Sequence, residues 1–145
     1  MKRFFHYTVL VLAAILSTAS MCEDEDENND QDNKALETTL GRGSWKVTYF
    51  FDKADETNDF EGYSFLFNED NVAIATKNAL SVQGSWDTEH SSDGNTKLYL
   101  DFGTNGSLEE LNEDWLVIEA TSARISLEHE SGGNGDTATL TLERK

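Results

Sequence analysis

The sequence of 145 residues contains no proline and a single cysteine, Cys22. One cysteine excludes a disulfide framework within the chain, and it equally excludes a thiolate zinc cluster. Basic residues are also scarce, with 11 Lys and Arg against 28 Asp and Glu and a formal net charge of −17. Because nucleic-acid binding needs a basic face, this balance excludes DNA or RNA as an expected partner. The length predicts one domain with a modest core.

Apolar runs long enough to span a bilayer are absent as well. Residues 7–16 form an apolar run of ten residues, whereas a transmembrane helix needs about 20. Lys2 and Arg3 precede the run, and small and polar residues follow it at positions 17–20. This order is typical of a secretory signal peptide. We therefore expect an exported protein whose signal occupies residues 1–21.

Cys22 lies at the boundary where the signal would be cleaved. The residues Ala19-Ser20-Met21-Cys22 resemble a bacterial lipoprotein box, which implies a lipidated Cys22 as the first mature residue and a membrane anchor made of several acyl chains. The alternative is ordinary cleavage after Ala19, which would leave Cys22 as a free thiol. The position of the cysteine favours lipidation.

Acidic residues dominate the segment that follows. Seven of the eleven residues from 23 to 33 are carboxylates and none is apolar, so we expect residues 22–33 to form a disordered tether carrying the lipidated cysteine. Acidic residues directly after the cysteine resemble the export signal of Bacteroidota lipoproteins. That resemblance implies an outer-membrane lipoprotein exposed at the cell surface, with the periplasm as the alternative.

Residues 34–145 show the alternation of apolar and polar residues that predicts β-strands. In the first strand, Trp45, Val47, Tyr49 and Phe51 are expected to share the inward face. The predicted strands cover residues 43–52, 62–67, 72–77, 80–88, 97–102, 114–120, 123–130 and 137–144. This spacing predicts an all-β fold, and the simplest closure is an eight-stranded antiparallel up-and-down barrel, with a β-sandwich as the alternative.

One helical turn interrupts the strands. Ser107 and Glu110 have the spacing of a capping box over residues 107–112. Leu108 and Leu111 would then plug one end of the barrel.

The domain resembles the small lipocalin-like lipoproteins of Bacteroidota. The residues that carry this resemblance are Gly43-Ser44-Trp45, a G-x-W opening of the first strand, and Arg144 in the last strand. In lipocalins such an arginine lies across the ring of the tryptophan and closes the barrel. The resemblance implies a lipocalin-like barrel.

Two functions remain open, of which the binding of a small ligand is the leading hypothesis and a protein-interaction module is the alternative. An eight-stranded barrel can hold one small ligand or be filled by side chains. If a cup exists, Tyr49, Tyr63, Trp86 and Trp115 are the amphipathic aromatics suited to line it around a small apolar or amphipathic molecule. With a filled core, the chain would instead be a protein-interaction module, such as an inhibitor or accessory subunit of an envelope complex, that binds a basic envelope protein.

Catalysis has little support in the sequence. His90 and His129 are the histidines outside the signal segment, and neither adjoins a nucleophile–base pair. We expect both to be solvated. The sequence therefore predicts a protein that is not an enzyme, without catalytic residues, a metal site or a cofactor.

Overall fold

The computed structural model describes residues 26–131 and 135–145, so the predicted signal peptide and Cys22 lie outside the described residues. Within these ranges, none of the helices has the length and apolar character needed to cross a membrane. Two 3-10 helices cover Thr57–Phe60 and Gly106–Leu111. The other elements are α1 (Asp26–Leu40), β1 (Trp45–Asp52), β2 (Ala54–Asp55), β3 (Ser64–Phe67), β4 (Val72–Lys77), β5 (Leu80–His90), β6 (Thr96–Asp101), β7 (Asp114–Ala120), β8 (Arg124–Ser131) and β9 (Asp136–Arg144).

The strands form a closed antiparallel barrel. From β3 to β9 each strand pairs with the next one in the chain, and β1 pairs with both β3 and β9. The β1–β9 register runs from Trp45 opposite Arg144 to Phe51 opposite Thr139. The two-residue β2 only folds back on the end of β1. The predicted eight-stranded up-and-down barrel is thereby confirmed, and its closure removes exposed strand edges.

Aromatic side chains fill the interior. Trp45, Phe50, Phe65, Phe102 and Trp115 are each almost completely buried. Phe65 and Phe102 meet edge to face with ring centroids 5.9 Å apart, and Phe50 meets Trp115 in the same way at 6.2 Å. Such pairs contribute about 0.5–1.5 kcal/mol beyond their buried area. The core is therefore held by interlocking rings.

The second 3-10 helix corresponds to the predicted helical turn. Leu108 and Leu111 are buried in the core, as expected for a plug. The predicted capping box is wrong, because no side chain hydrogen-bonds to the first backbone groups of this helix. Ser107 Oγ instead donates to the backbone oxygen of Asp59 at 3.3 Å, which ties the two 3-10 helices together.

A β-bulge changes which side chains of β1 point into the barrel. The register with β9 shifts between Val47 and Tyr49, and an extra residue in a strand reverses the side-chain alternation beyond it. Phe50 is consequently buried, while Tyr49 is 42% exposed on the outside of the barrel. The prediction that Tyr49 points inward is wrong for this reason.

Helix α1 replaces part of the predicted tether. The sequence predicted disorder over residues 22–33, but residues 26–33 form the first half of α1. The helix is anchored by its second half, where Leu36 and Leu40 lie one turn apart and are buried against the barrel. Once a docked turn exists, adding further turns costs little.

Polar contacts also attach α1 to the barrel. The Trp45 indole donates to the backbone oxygen of Leu40 at 2.9 Å. Thr88 Oγ1 donates to Glu37 Oε1 at 2.7 Å. These contacts place α1 beside β5 and above the start of β1.

Candidate functional site

Gly43, Trp45 and Arg144 form a contact at the β1–β9 seam. The guanidinium carbon of Arg144 lies 5.0 Å from the centroid of the Trp45 ring, within the range of a cation–π contact. Arg144 Nη2 donates to the backbone oxygen of Thr39 at 3.2 Å. Gly43 has a φ of 79°, a conformation that glycine adopts without strain. These residues join the last strand, the first strand and α1.

The four aromatic residues expected to line a ligand cup do not converge. Tyr49 faces outward, and Tyr63 is half-buried beneath Lys77, whose Nζ lies 4.9 Å from the centroid of its ring. Trp115 is fully buried and Trp86 nearly so. Their indole N–H groups donate to backbone oxygens of Leu111 (3.0 Å) and Asn68 (2.9 Å), respectively. These residues are parts of the wall and the core.

A small depression opens toward the core where the second 3-10 helix meets β1, β8 and β9. Its volume is about 250 Å³, below the usual range of about 300–1,000 Å³ for sites that hold drug-sized ligands. We call it the acidic recess. Its lining residues are Phe50, Asp52, Glu109, Glu110, Glu113, Trp115, His129 and Ala138.

Four carboxylates line the recess, those of Asp52, Glu109, Glu110 and Glu113. Partial burial, followed by the carboxylates of Glu56, Asp52, Asp59 and Glu109, raises the pKa of Glu110. Among the described residues that line the recess there is no Lys or Arg. The site therefore favours a cation over an anion or a neutral apolar group.

His129 sits at the edge of this recess, with only 16% of its side chain exposed. Its ring lies edge to face against Trp115, with centroids 5.9 Å apart. Nδ1 is 3.0 Å from the backbone oxygen of Asp114, and Nε2 is 3.4 Å from Glu113 Oε2. The expectation of a solvated His129 is wrong. The alternation of Ile125, Leu127 and His129 along β8 was a sequence signal for its burial.

Asp114 connects His129 to Lys97. Asp114 Oδ1 lies 3.0 Å from His129 Nδ1, and Asp114 Oδ2 accepts a hydrogen bond of 2.6 Å from Lys97 Nζ. The Lys97 hydrogen bond is the main reason that the pKa of Asp114 is lowered, and the same pair raises the pKa of Lys97. The other histidine, His90, contacts Thr96 Oγ1 at 3.2 Å and takes no part in this cluster.

A larger depression, the acidic groove, crosses the outer surface of β5 and β6 as far as the start of β7. Its volume is about 860 Å³, and it is open to solvent. Four carboxylates line it, those of Asp87, Asp101, Glu113 and Asp114. Tyr99 lies among them, and its hydroxyl donates to Glu89 Oε2 at 2.8 Å. Sequence reasoning missed this groove because its carboxylates come from three different strands, β5, β6 and β7, and from the residue that precedes β7.

Comparison with known proteins shows similarity at the level of fold. No protein-family model matches the sequence, and no curated protein does so. The structure is similar to that of a DUF4847 family protein from Bacteroides vulgatus ATCC 8482, with a TM-score of 0.50 and 12% sequence identity. The similarity covers 76% of this chain and 97% of that one. It supports the barrel architecture.

Proposed function

We propose that this chain is a lipid-anchored cell-envelope binding protein that engages a basic partner protein through its acidic groove, without catalysis. The observation that carries this proposal is the contrast between the two depressions. The core-facing recess measures about 250 Å³, whereas the outer groove encloses about 860 Å³ and presents four carboxylates. The function therefore belongs to the outer surface of the barrel rather than to its interior.

Electrostatics support a basic partner. The net charge of −17 attracts cationic proteins over a distance set by salt, and complementary charge mainly accelerates association and selects the partner. Tyr99 in the groove offers a ring face to a Lys or Arg side chain. A small apolar ligand inside the barrel is disfavoured, because the aromatic rings of the described core occupy that space.

The groove can be tested with octalysine as a cationic probe, following backbone amide shifts by NMR. We expect shift changes to concentrate at residues 85–87, 99–101 and 112–114. The double variant Asp87→Asn/Asp101→Asn should weaken binding several-fold, whereas Glu61→Gln/Glu119→Gln, with the same change in net charge on exposed residues, should not. Equal weakening in both variants would show that only net charge matters and would refute the groove.

The competing interior site has its own test. Titration with the apolar fluorophore N-phenyl-1-naphthylamine should give no saturable increase in emission. Saturable binding that is lost on enlarging a core side chain would instead support a ligand in the barrel.

Lipid anchoring is tested separately. We expect wild-type protein in the membrane fraction of its source cells and the Cys22→Ser variant in the soluble fraction. A variant that stays in the membrane fraction would contradict lipidation at Cys22.

A further inference from the structure

We propose that His129 and Glu113 form a binding site for a divalent transition-metal ion, with Zn²⁺ as the ion that fits best. Among the described residues, the ligand atoms of Glu113, Asp114 and His129 all lie within 4.8 Å of one another. The proposal does not require the basic partner, although Glu113 and Asp114 also line the acidic groove. The ion would lie where β7, β8 and the second 3-10 helix meet.

The imidazole of His129 is oriented as in metal-ligating histidines. Nδ1 lies 3.0 Å from the backbone oxygen of Asp114, and a carbonyl can only accept a hydrogen bond. In the neutral ring the proton is therefore on Nδ1, and the lone pair of Nε2 is free, with Glu113 Oε2 3.4 Å away. A ligating histidine is typically held in this way by a carbonyl or carboxylate behind it.

Asp114 acts as a support for this histidine. One of its carboxylate oxygens lies beside His129 Nδ1, and Lys97 Nζ holds the other at 2.6 Å. Asp114 is thus on the far side of the imidazole from the lone pair of Nε2. This carboxylate–histidine pairing fixes the ring orientation and increases the basicity of the ligating nitrogen.

The gap between Nε2 and Glu113 fits a metal ion. The two atoms are 3.4 Å apart, a separation at which one ion can contact both. An ion about 2.0–2.2 Å from each atom would make an angle of roughly 100–115° with them, which is close to tetrahedral.

The acidic recess can complete the coordination. Asp52, Glu109 and Glu110 line the same depression of about 250 Å³ as His129 and Glu113, but the described group within 4.8 Å is Glu113, Asp114 and His129, so water would supply the remaining ligands. That volume suits a partly hydrated ion. Imidazole among carboxylates favours Zn²⁺, Co²⁺ or Ni²⁺ over Ca²⁺ and Mg²⁺, which prefer oxygen alone.

The test is calorimetric titration of the detergent-purified full chain with ZnCl₂, and with MgCl₂ for comparison. We expect a saturable zinc site that His129→Gln and Glu113→Gln each weaken at least tenfold, and no comparable magnesium site. His90→Gln is the matched control and should bind as the wild type does. All variants share the same N-terminal region, so any zinc bound there contributes equally.

A second readout locates the ion. Co²⁺ bound at Nε2 should quench emission from Trp115, whose ring is 5.9 Å from that of His129, and His129→Gln should abolish this quenching. Identical zinc isotherms and identical quenching in wild type and His129→Gln would overturn the proposal. A loss of zinc affinity in His90→Gln as large as in His129→Gln would overturn it too.

Discussion

Truncation of Leu40 to alanine tests whether α1 belongs to the folded domain. Leu40 is fully buried in the last turn of the helix, and its backbone oxygen accepts the Trp45 indole hydrogen bond. Leu40→Ala removes three carbon atoms from this contact while leaving the backbone acceptor in place. Substitutions of this kind in well-packed cores cost about 2.7–5 kcal/mol.

We expect a cost near the lower limit, about 3 kcal/mol, because α1 lies at the periphery and can move partly into the space left behind. Typical domains have a total stability of about 5–15 kcal/mol, so this loss is large. For a domain of this size it should lower Tm by on the order of 10 °C.

The matched control is Leu80→Ala. Leu80 is 77% exposed next to the β4–β5 turn, and exposed substitutions usually change stability by less than about 0.5 kcal/mol. Urea unfolding followed by tryptophan emission gives both free energies, and the m-value should stay unchanged. Equal unfolding midpoints for the two variants would mean that α1 is not docked, and the tether predicted from the sequence would then be the better description.

Three further substitutions test the core, the seam and the recess. Gly84→Ala should lower the free energy of unfolding, measured with urea, by about 1–3 kcal/mol, because the added Cβ would overlap the backbone oxygen of Asp101. Arg144→Lys keeps the charge but loses the planar contact with Trp45, and thermal unfolding should report a cost of about 1 kcal/mol. Glu110→Gln should stabilise the protein at pH 7 by less than about 1 kcal/mol. The pKa of Glu110 is raised by folding, so its charge opposes folding above its unfolded pKa. Urea unfolding should show that the stability gained by Glu110→Gln vanishes as the pH falls below the pKa of Glu110 in the unfolded chain. A gain that persists at pH 3 would contradict the electrostatic explanation.

Much of the barrel could be predicted because its strands alternate with a period of two. In β6, for example, Leu98 and Leu100 are buried and alternate with half-buried or exposed neighbours, so the pattern alone indicates which face is inside. The G-x-W opening likewise indicated where the first strand begins, and β1 starts at Trp45. Such local patterns are sufficient to predict which face is buried, because successive side chains of a strand point to opposite faces, one toward the core and one toward water.

The errors arose where distant parts of the chain decide local structure. The bulge in β1 depends on its register with β9, nearly a hundred residues away, and no pattern within β1 reports it. Leu36 and Leu40 have helical spacing, but they become an anchor only when the barrel provides a surface to bury them. The acidic recess joins Asp52, the Glu109–Glu113 segment and His129, which the fold alone brings together.

The docking of α1 has a consequence for how a membrane-anchored form would present its surface. Only residues 23–25 separate Cys22 from the start of α1, and three extended residues reach roughly 10 Å. A lipidated Cys22 would therefore be connected to the barrel through helix α1, which is about 22 Å long, and through a few residues before it. Asn71 and Trp86 line both the acidic groove and the cleft beside α1, so a partner bound in the groove would lie against the helix that leads to the anchor. The position of the groove, and not its charge alone, would then select partners that approach close to the membrane.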